Sequence, residues 1–264
     1  MYGRTIYADQ KLIINQQAIS GVTSFNGSFD IPYENIDVLG GNLATSVQGE
    51  SAKNISFNRF LIQADPLKYL TGNFSCNGFV SYQNNSFGFR NGYMTNYSAS
   101  CSVGDIAEIT TDFIVYENMG GGVEEAIIPS QNTDNIYVAN AGSIIINANE
   151  GSTNRITSFE YSVNCERIPL FVLGSRDPSN VVLKKPIIAE LTLTLEIDDY
   201  ESSNIQTLLC TPNTQNLQID LKNCNQTTVI ESFIMPNARL ISTNYSSSID
   251  DSATVEMLFR SFLV

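Results

Sequence analysis

Histidine and tryptophan are absent from this chain of 264 residues, and lysine and arginine together number only 14. Without histidine there is no Ser-His-Asp or Cys-His nucleophilic system, no histidine-ligated metal and no ordinary proton shuttle at neutral pH. Paired carboxylates need no histidine, so that chemistry stays open. Charge of either sign is scarce, at 16% of residues against ~25% in an average protein. Asn, Ser, Thr, Gln and Tyr fill the gap. Such neutral polar side chains line sheet faces and hydrogen-bond without the desolvation cost of ions, which suits a surface hidden against copies of itself. The 27 acidic residues leave a formal net charge of −13. An acidic surface repels phosphate, which argues against sequence-specific duplex recognition, yet a negative wall lets DNA pass without adhering.

Long apolar runs are missing too. None approaches the ~20 residues of a spanning helix, and Met1-Tyr2-Gly3-Arg4-Thr5 does not open a signal peptide, so no membrane partner is expected. The five cysteines (Cys76, Cys101, Cys165, Cys210, Cys224) are odd in number, irregularly spaced and without a CxxC. Free, buried thiols in a reducing cytosol are expected. No P-loop, dinucleotide glycine fingerprint or GxSxG elbow occurs. Gly120, Gly121 and Gly122 are followed by Glu124 and Glu125, whose carboxylates would repel a phosphate. Asp198-Asp199-Tyr200-Glu201 and Asp250-Asp251 lack the spaced ligands of an EF-hand. Glu190 and Glu196 on one strand stand roughly 20 Å apart, too far for glycoside hydrolysis. Neither catalysis nor a cofactor or metal is expected.

What is present is a repeat. Thr23-Ser24-Phe25 opens an 18-residue stretch ending Val38-Leu39-Gly40, and Thr157-Ser158-Phe159 opens another ending Val172-Leu173-Gly174, at an offset of 134. Thr95-Asn96-Tyr97-Ser98 recurs as Thr243-Asn244-Tyr245-Ser246, and Ile13-Ile14-Asn15 as Ile145-Ile146-Asn147, at offsets of 148 and 132. Three collinear matches predict an internal duplication, with one β-domain over 1–117 and its copy over 136–264. The intervening 118–135, rich in Gly and acid, reads as a linker or long loop.

Strand signals dominate. From Glu190 to Ile197, Leu191, Leu193, Leu195 and Ile197 alternate with Glu190, Thr192, Thr194 and Glu196, a period of two that gives one apolar and one polar face. Asp112–Tyr116, Ser143–Asn147 and Thr254–Val264 also read as strands. Ala64–Leu70 predicts a short helix capped by Asp65, with Pro66 in its first turn and Gly72 at its end, and Ser203–Leu209 occupies the comparable place in the second half. The fold class expected is all-β: two tandem similar β-sandwich or barrel domains, each with one short helix.

Gly21 to Pro32, Gly92 to Ser98 and Arg155 to Gly174 resemble the major tail tube proteins of tailed bacteriophages, in the duplicated form where one chain carries two tube domains. The resemblance implies homotrimeric rings of six domains stacked into a tube, with inner strands of neighbours joined around a lumen that conducts double-stranded DNA. It implies a place in the virion tail after assembly in the host cytoplasm, other tail proteins as partners, and no catalytic residues. The polar face of Glu190, Thr192, Thr194 and Glu196 is the expected lumen wall, and the loop with Gly120, Gly121, Gly122, Glu124 and Glu125 the expected ring-to-ring contact. Another tail ring, such as a terminator, distal tail or sheath-like layer, fits the same pattern. A monomeric adhesion or carbohydrate-binding sandwich is the alternative from a different class.

Overall fold

A computed structural model describes residues 10–30, 33–36, 45–48, 52–62, 64–82, 85–122, 139, 143–148, 151–175, 177–196, 214–222, 228–248 and 251–263. The fold is all-β. The first half contains β1 (Gln10–Ile14), β2 (Gln17–Ile19), β3 (Val22–Asp30), β4 (Tyr33–Ile36), β5 (Thr45–Gln48), β6 (Ala52–Phe60), β7 (Ser75–Tyr82), β8 (Asn85–Ser102) and β9 (Glu108–Val115). A short β10 (Met119–Gly121) follows. The second half contains β11 (Ile144–Ala148), β12 (Gly151–Thr153), β13 (Ile156–Asn164), β14 (Arg167–Leu170), β15 (Asn180–Leu183), β16 (Ile187–Glu196), β17 (Gln215–Lys222), β18 (Val229–Ser248) and β19 (Asp251–Leu263).

Strand for strand, β11–β19 repeat the pairings of β1–β9. In the first half β1 pairs with β2 and β7, β3 with β6, β4 with β5, β6 with β9, and β8 with β7 and β9. Adding ten to each label gives the second half's own set. The irregularities repeat as well. Thr23 and Thr157 are each an extra residue in their strand, and each hydroxyl donates across the bulge to a backbone carbonyl 3.1 Å away, that of Asn58 or Thr194. Asn91 and Asn237 sit in bulges at left-handed φ of 49° and 52°, a conformation asparagine tolerates. Their amides donate, at 3.0 Å, to the side chains of Asn77 and Asn216.

These registers correct two of the three sequence matches. Tyr97 lies opposite Thr111, and Thr243 opposite Met257, so Tyr97 corresponds to Thr243 and not to Tyr245. Likewise Ile14 and Ala148 close equivalent hairpins. Both matches are two residues out of register, a shift that preserves the face and so leaves the pattern looking alike. The match beginning at Thr23 and Thr157 is in register.

The halves share one sheet. The C-terminal part of β8 pairs along its far edge with β13, from Ser102↔Ser158 to Asn96↔Asn164, giving the strand order β3-β6-β9-β8-β13-β16-β19-β18. The two expected domains are therefore hydrogen-bonded edge to edge, not merely tethered. The N-terminal part of β8 turns away to pair with β7 and folds back over this sheet. Phe89 and Phe113 rings meet at 5.9 Å, although Phe113 faces Met94, and a straight strand would separate residues 89 and 94 by about 16 Å. Between the layers lie buried Phe57, Phe89, Met94, Phe113, Leu191, Leu193, Phe233 and Met257.

Two polar clusters lock the halves. Arg167 on β14 is 8% exposed and donates to three first-half carbonyls, those of Met94 (2.8 Å), Leu70 (3.2 Å) and Gly72 (2.8 Å). Burial lowers its pKa. Buried Arg59 pairs with Asp65, which also accepts from the Tyr97 hydroxyl at 2.6 Å, while the Asp65 amide donates to Glu231 of the second half at 2.6 Å. The helix expected over 64–70 is a single 3-10 turn, Lys68–Thr71. Its N-cap position is Leu67 and not Asp65; the Asp65 carboxylate keeps a capping-type bond from the Leu67 amide but also serves Arg59 and Tyr97. Gly72 ends the turn as expected. Ser203–Leu209 lies outside the described residues. No helix among the described residues is long and apolar enough to cross a membrane.

Candidate functional site: open sheet edges and a polar face

The strand from Glu190 lies in β16, with Leu191, Leu193 and Leu195 fully buried; Ile197 is outside the described residues. Glu190, Thr192 and Thr194 are half-exposed and Glu196 exposed, on the side away from the core. They belong to a polar face running over all eight strands, carrying Asp30, Glu108, Asp112, Glu160, Glu190, Glu196 and Glu256 against Arg239 and Arg260. Glu190 is not a bare negative charge. Arg260 stands directly opposite and donates to it at 2.8 Å, a link that alternation within one strand cannot reveal.

The expected ring-contact loop divides. Gly120 and Gly121 belong to β10, which pairs with β8 at Gly88 and Phe87, and Gly122 follows in a turn. Strand β10 lies inside the segment expected to be a linker, where it pairs with the N-terminal part of β8. Glu124 and Glu125 fall outside the described residues. A different exposed element stands out: the β14–β15 hairpin, whose tip carries Phe171, Val172 and Leu173, with Leu173 fully exposed. No sequence signal separated this tip from a core strand, because exposure is a property of the surroundings.

Among the described residues, the layer β3-β6-β9-β8-β13-β16-β19-β18 ends on β3 and on the C-terminal part of β18. Among the described residues, β3 pairs only with β6, and residues 239–248 of β18 pair only with β19. Phe29 and Tyr245 there are 57% and 66% exposed. At the same places in the β8–β13 joint, Val163 and Ala99 are 1% and 2% exposed. In the joint each of these positions has a paired strand on both sides, and at the ends it has one.

A cavity of about 540 Å³ beside the β8–β9 turn is lined by Ser100, Cys101, Ser102, Asp105 and Glu108, among others. Burial, and secondarily Asp105, push the Cys101 thiol up to about 12, so it is no nucleophile at neutral pH. Cys76 and Cys165 are likewise free, buried and raised by burial, to about 12 and about 11; Cys210 and Cys224 lie outside the described residues. With Cys210 and Cys224 replaced by serine, the remaining thiols are expected to resist Ellman's reagent at pH 8 until denaturant is added. Because their folded pKa values are raised, their contribution is complete below the ordinary thiol value of 9.0 and fades as pH rises to 11–12. Denaturant midpoints should fall across that window, and rapid native labelling would contradict the assignment. Among the described residues no cluster of three metal-binding side chains occurs. In comparisons with known proteins, the chain matches no family model and no curated protein.

Proposed function

We propose that this chain is a structural protein that joins copies of itself head to tail into a closed ring, the rings stacking into a hollow tube that conducts DNA, as in phage tail tubes. The observation that carries this reading is the β8–β13 joint. It is an interface between two like units within one chain, and the same units leave the matching edges, β18 and β3, unpaired among the described residues. A heterologous interface of this kind closes into a ring when its rotation divides a full turn. Exposed edges are otherwise an aggregation hazard, and pairing with a neighbour consumes them. Three such chains would give a ring of six quasi-equivalent units. Negative-stain microscopy of the purified protein is expected to show rings of six similar densities, or tubes. A particle that stays monomeric at every concentration overturns the proposal.

The polar face would form the lumen wall. The reversal that tests this is Glu160→Lys with Glu196→Lys. Assembled double-variant particles should retain duplex DNA at low salt and release it as salt rises, whereas wild-type particles should not bind it. Equal retention by both would remove the lumen assignment. For contact between rings, the apolar hairpin tip supports a stronger assignment than residues 118–135, since an exposed cluster of that kind marks an interaction site. Val172→Asp with Leu173→Asp should leave single rings that do not lengthen; tubes of normal length would return the role to 118–135.

A further inference from the structure

Resting on the head-to-tail reading, we propose that Tyr245 of one copy is the anchor residue of the joint, seated in a recess on the next copy with Tyr245 directly opposite Gly27. The recess, about 390 Å³, is lined by Gln10, Phe25, Gly27, Val80, Tyr82 and Phe87. The second half shows what this place looks like when complete. There Phe233, the equivalent of Phe87, is met by two tilted rings, Phe159 (the equivalent of Phe25) at 5.7 Å and Tyr161 at 5.1 Å. In the first half Phe25 and Phe87 keep their contact at 6.3 Å, but Gly27 stands where the third ring would be. The Phe87 ring and the Met119 methyl lie over Gly27 instead, 2.8 and 3.3 Å from where a Cβ would stand, so a ring entering from the open edge seats against them.

Carrying the β8–β13 register onto β18 and β3 supplies that ring. In the joint, Tyr161 faces Ala99 and Val163 faces Tyr97; the equivalent pairs between copies are Gly27 with Tyr245 and Phe29 with Thr243. Large and small, and aromatic and β-branched, change sides while each pair keeps its combined bulk. Facing pairs on an antiparallel sheet pack through this kind of complementarity, and a buried aromatic filling a pocket is the usual anchor of an interface. The outward pairs are polar in both joints, with Ser162 facing Ser98 and Ser28 facing Asn244.

The test uses the full chain with Cys210 and Cys224 replaced by serine. Facing Cα atoms in such a pair lie within disulfide range, so Ser28→Cys with Asn244→Cys should oxidise to covalent oligomers on a denaturing gel. The off-register pair Ser28→Cys with Ser246→Cys should not. Separately, Tyr245→Ala should raise the concentration needed for assembly at least about tenfold without lowering the melting temperature of the isolated chain, while Tyr245→Phe should assemble normally. Assembly with the off-register cross-link, or assembly indifferent to Tyr245→Ala, overturns the anchor and leaves head-to-tail joining intact. A wild-type chain that never assembles overturns both.

Discussion

A Phe29→Lys variant is expected to fold as the wild type does and to fail to assemble. In the isolated chain Phe29 is 57% exposed at the end of an open edge, so a lysine there meets water and should change stability by less than about 0.5 kcal/mol. In a completed joint the position becomes the equivalent of Val163, which is 1% exposed against Tyr97. An ammonium buried there without a partner costs several kcal/mol, and at 1.4 kcal/mol per decade a cost of ~4 kcal/mol weakens each joint by about a thousandfold. Inward-pointing charge is also how natural edge strands avoid pairing. Sedimentation velocity beside a thermal melt reads both halves of the expectation. Assembly of the variant at wild-type concentration would mean that β3 is not the edge used.

The second large effect is on stability. Asp65→Ala should destabilise the fold by about 3–5 kcal/mol, because it strips the counter-ion from Arg59, whose side chain is 3% exposed, and leaves a buried cation unpaired. It also removes the acceptor for the Tyr97 hydroxyl and the Leu67 amide. Tyr97→Phe removes one of those hydrogen bonds and leaves the ion pair, so its cost should stay near 1–3 kcal/mol. Since Glu231 on β18 accepts from both Asp65 and Lys68, the same cluster couples the halves, and urea unfolding should remain a single transition in both variants. A loss below ~1 kcal/mol for Asp65→Ala would show that water reaches Arg59.

The repeat of Thr23-Ser24-Phe25 falls on a residue with a job, since the threonine hydroxyl stitches the same bulge in both halves. The asparagine pairs that stitch the other bulge were invisible, because connectors of different length place them 14 residues apart in one half (Asn77 and Asn91) and 21 in the other (Asn216 and Asn237). Conversely, Thr95-Asn96-Tyr97-Ser98 and its copy looked persuasive yet lie two positions out of register. At 64–70 the expected helix shrinks to the turn Lys68–Thr71, where Asp65 divides its carboxylate between the Leu67 amide, Tyr97 and a buried arginine from β6.

By itself the sequence determined the all-β class and the inward face of strands such as β16. Those are consequences of local alternation and composition, which need no neighbour to be read. Tertiary structure alone decided that β8 meets β13, that Arg260 answers Glu190, and that, among the described residues, β3 and the C-terminal part of β18 end their layer. A period of two says which way a side chain points, whereas the strand alongside is chosen by contacts between residues far apart in the chain.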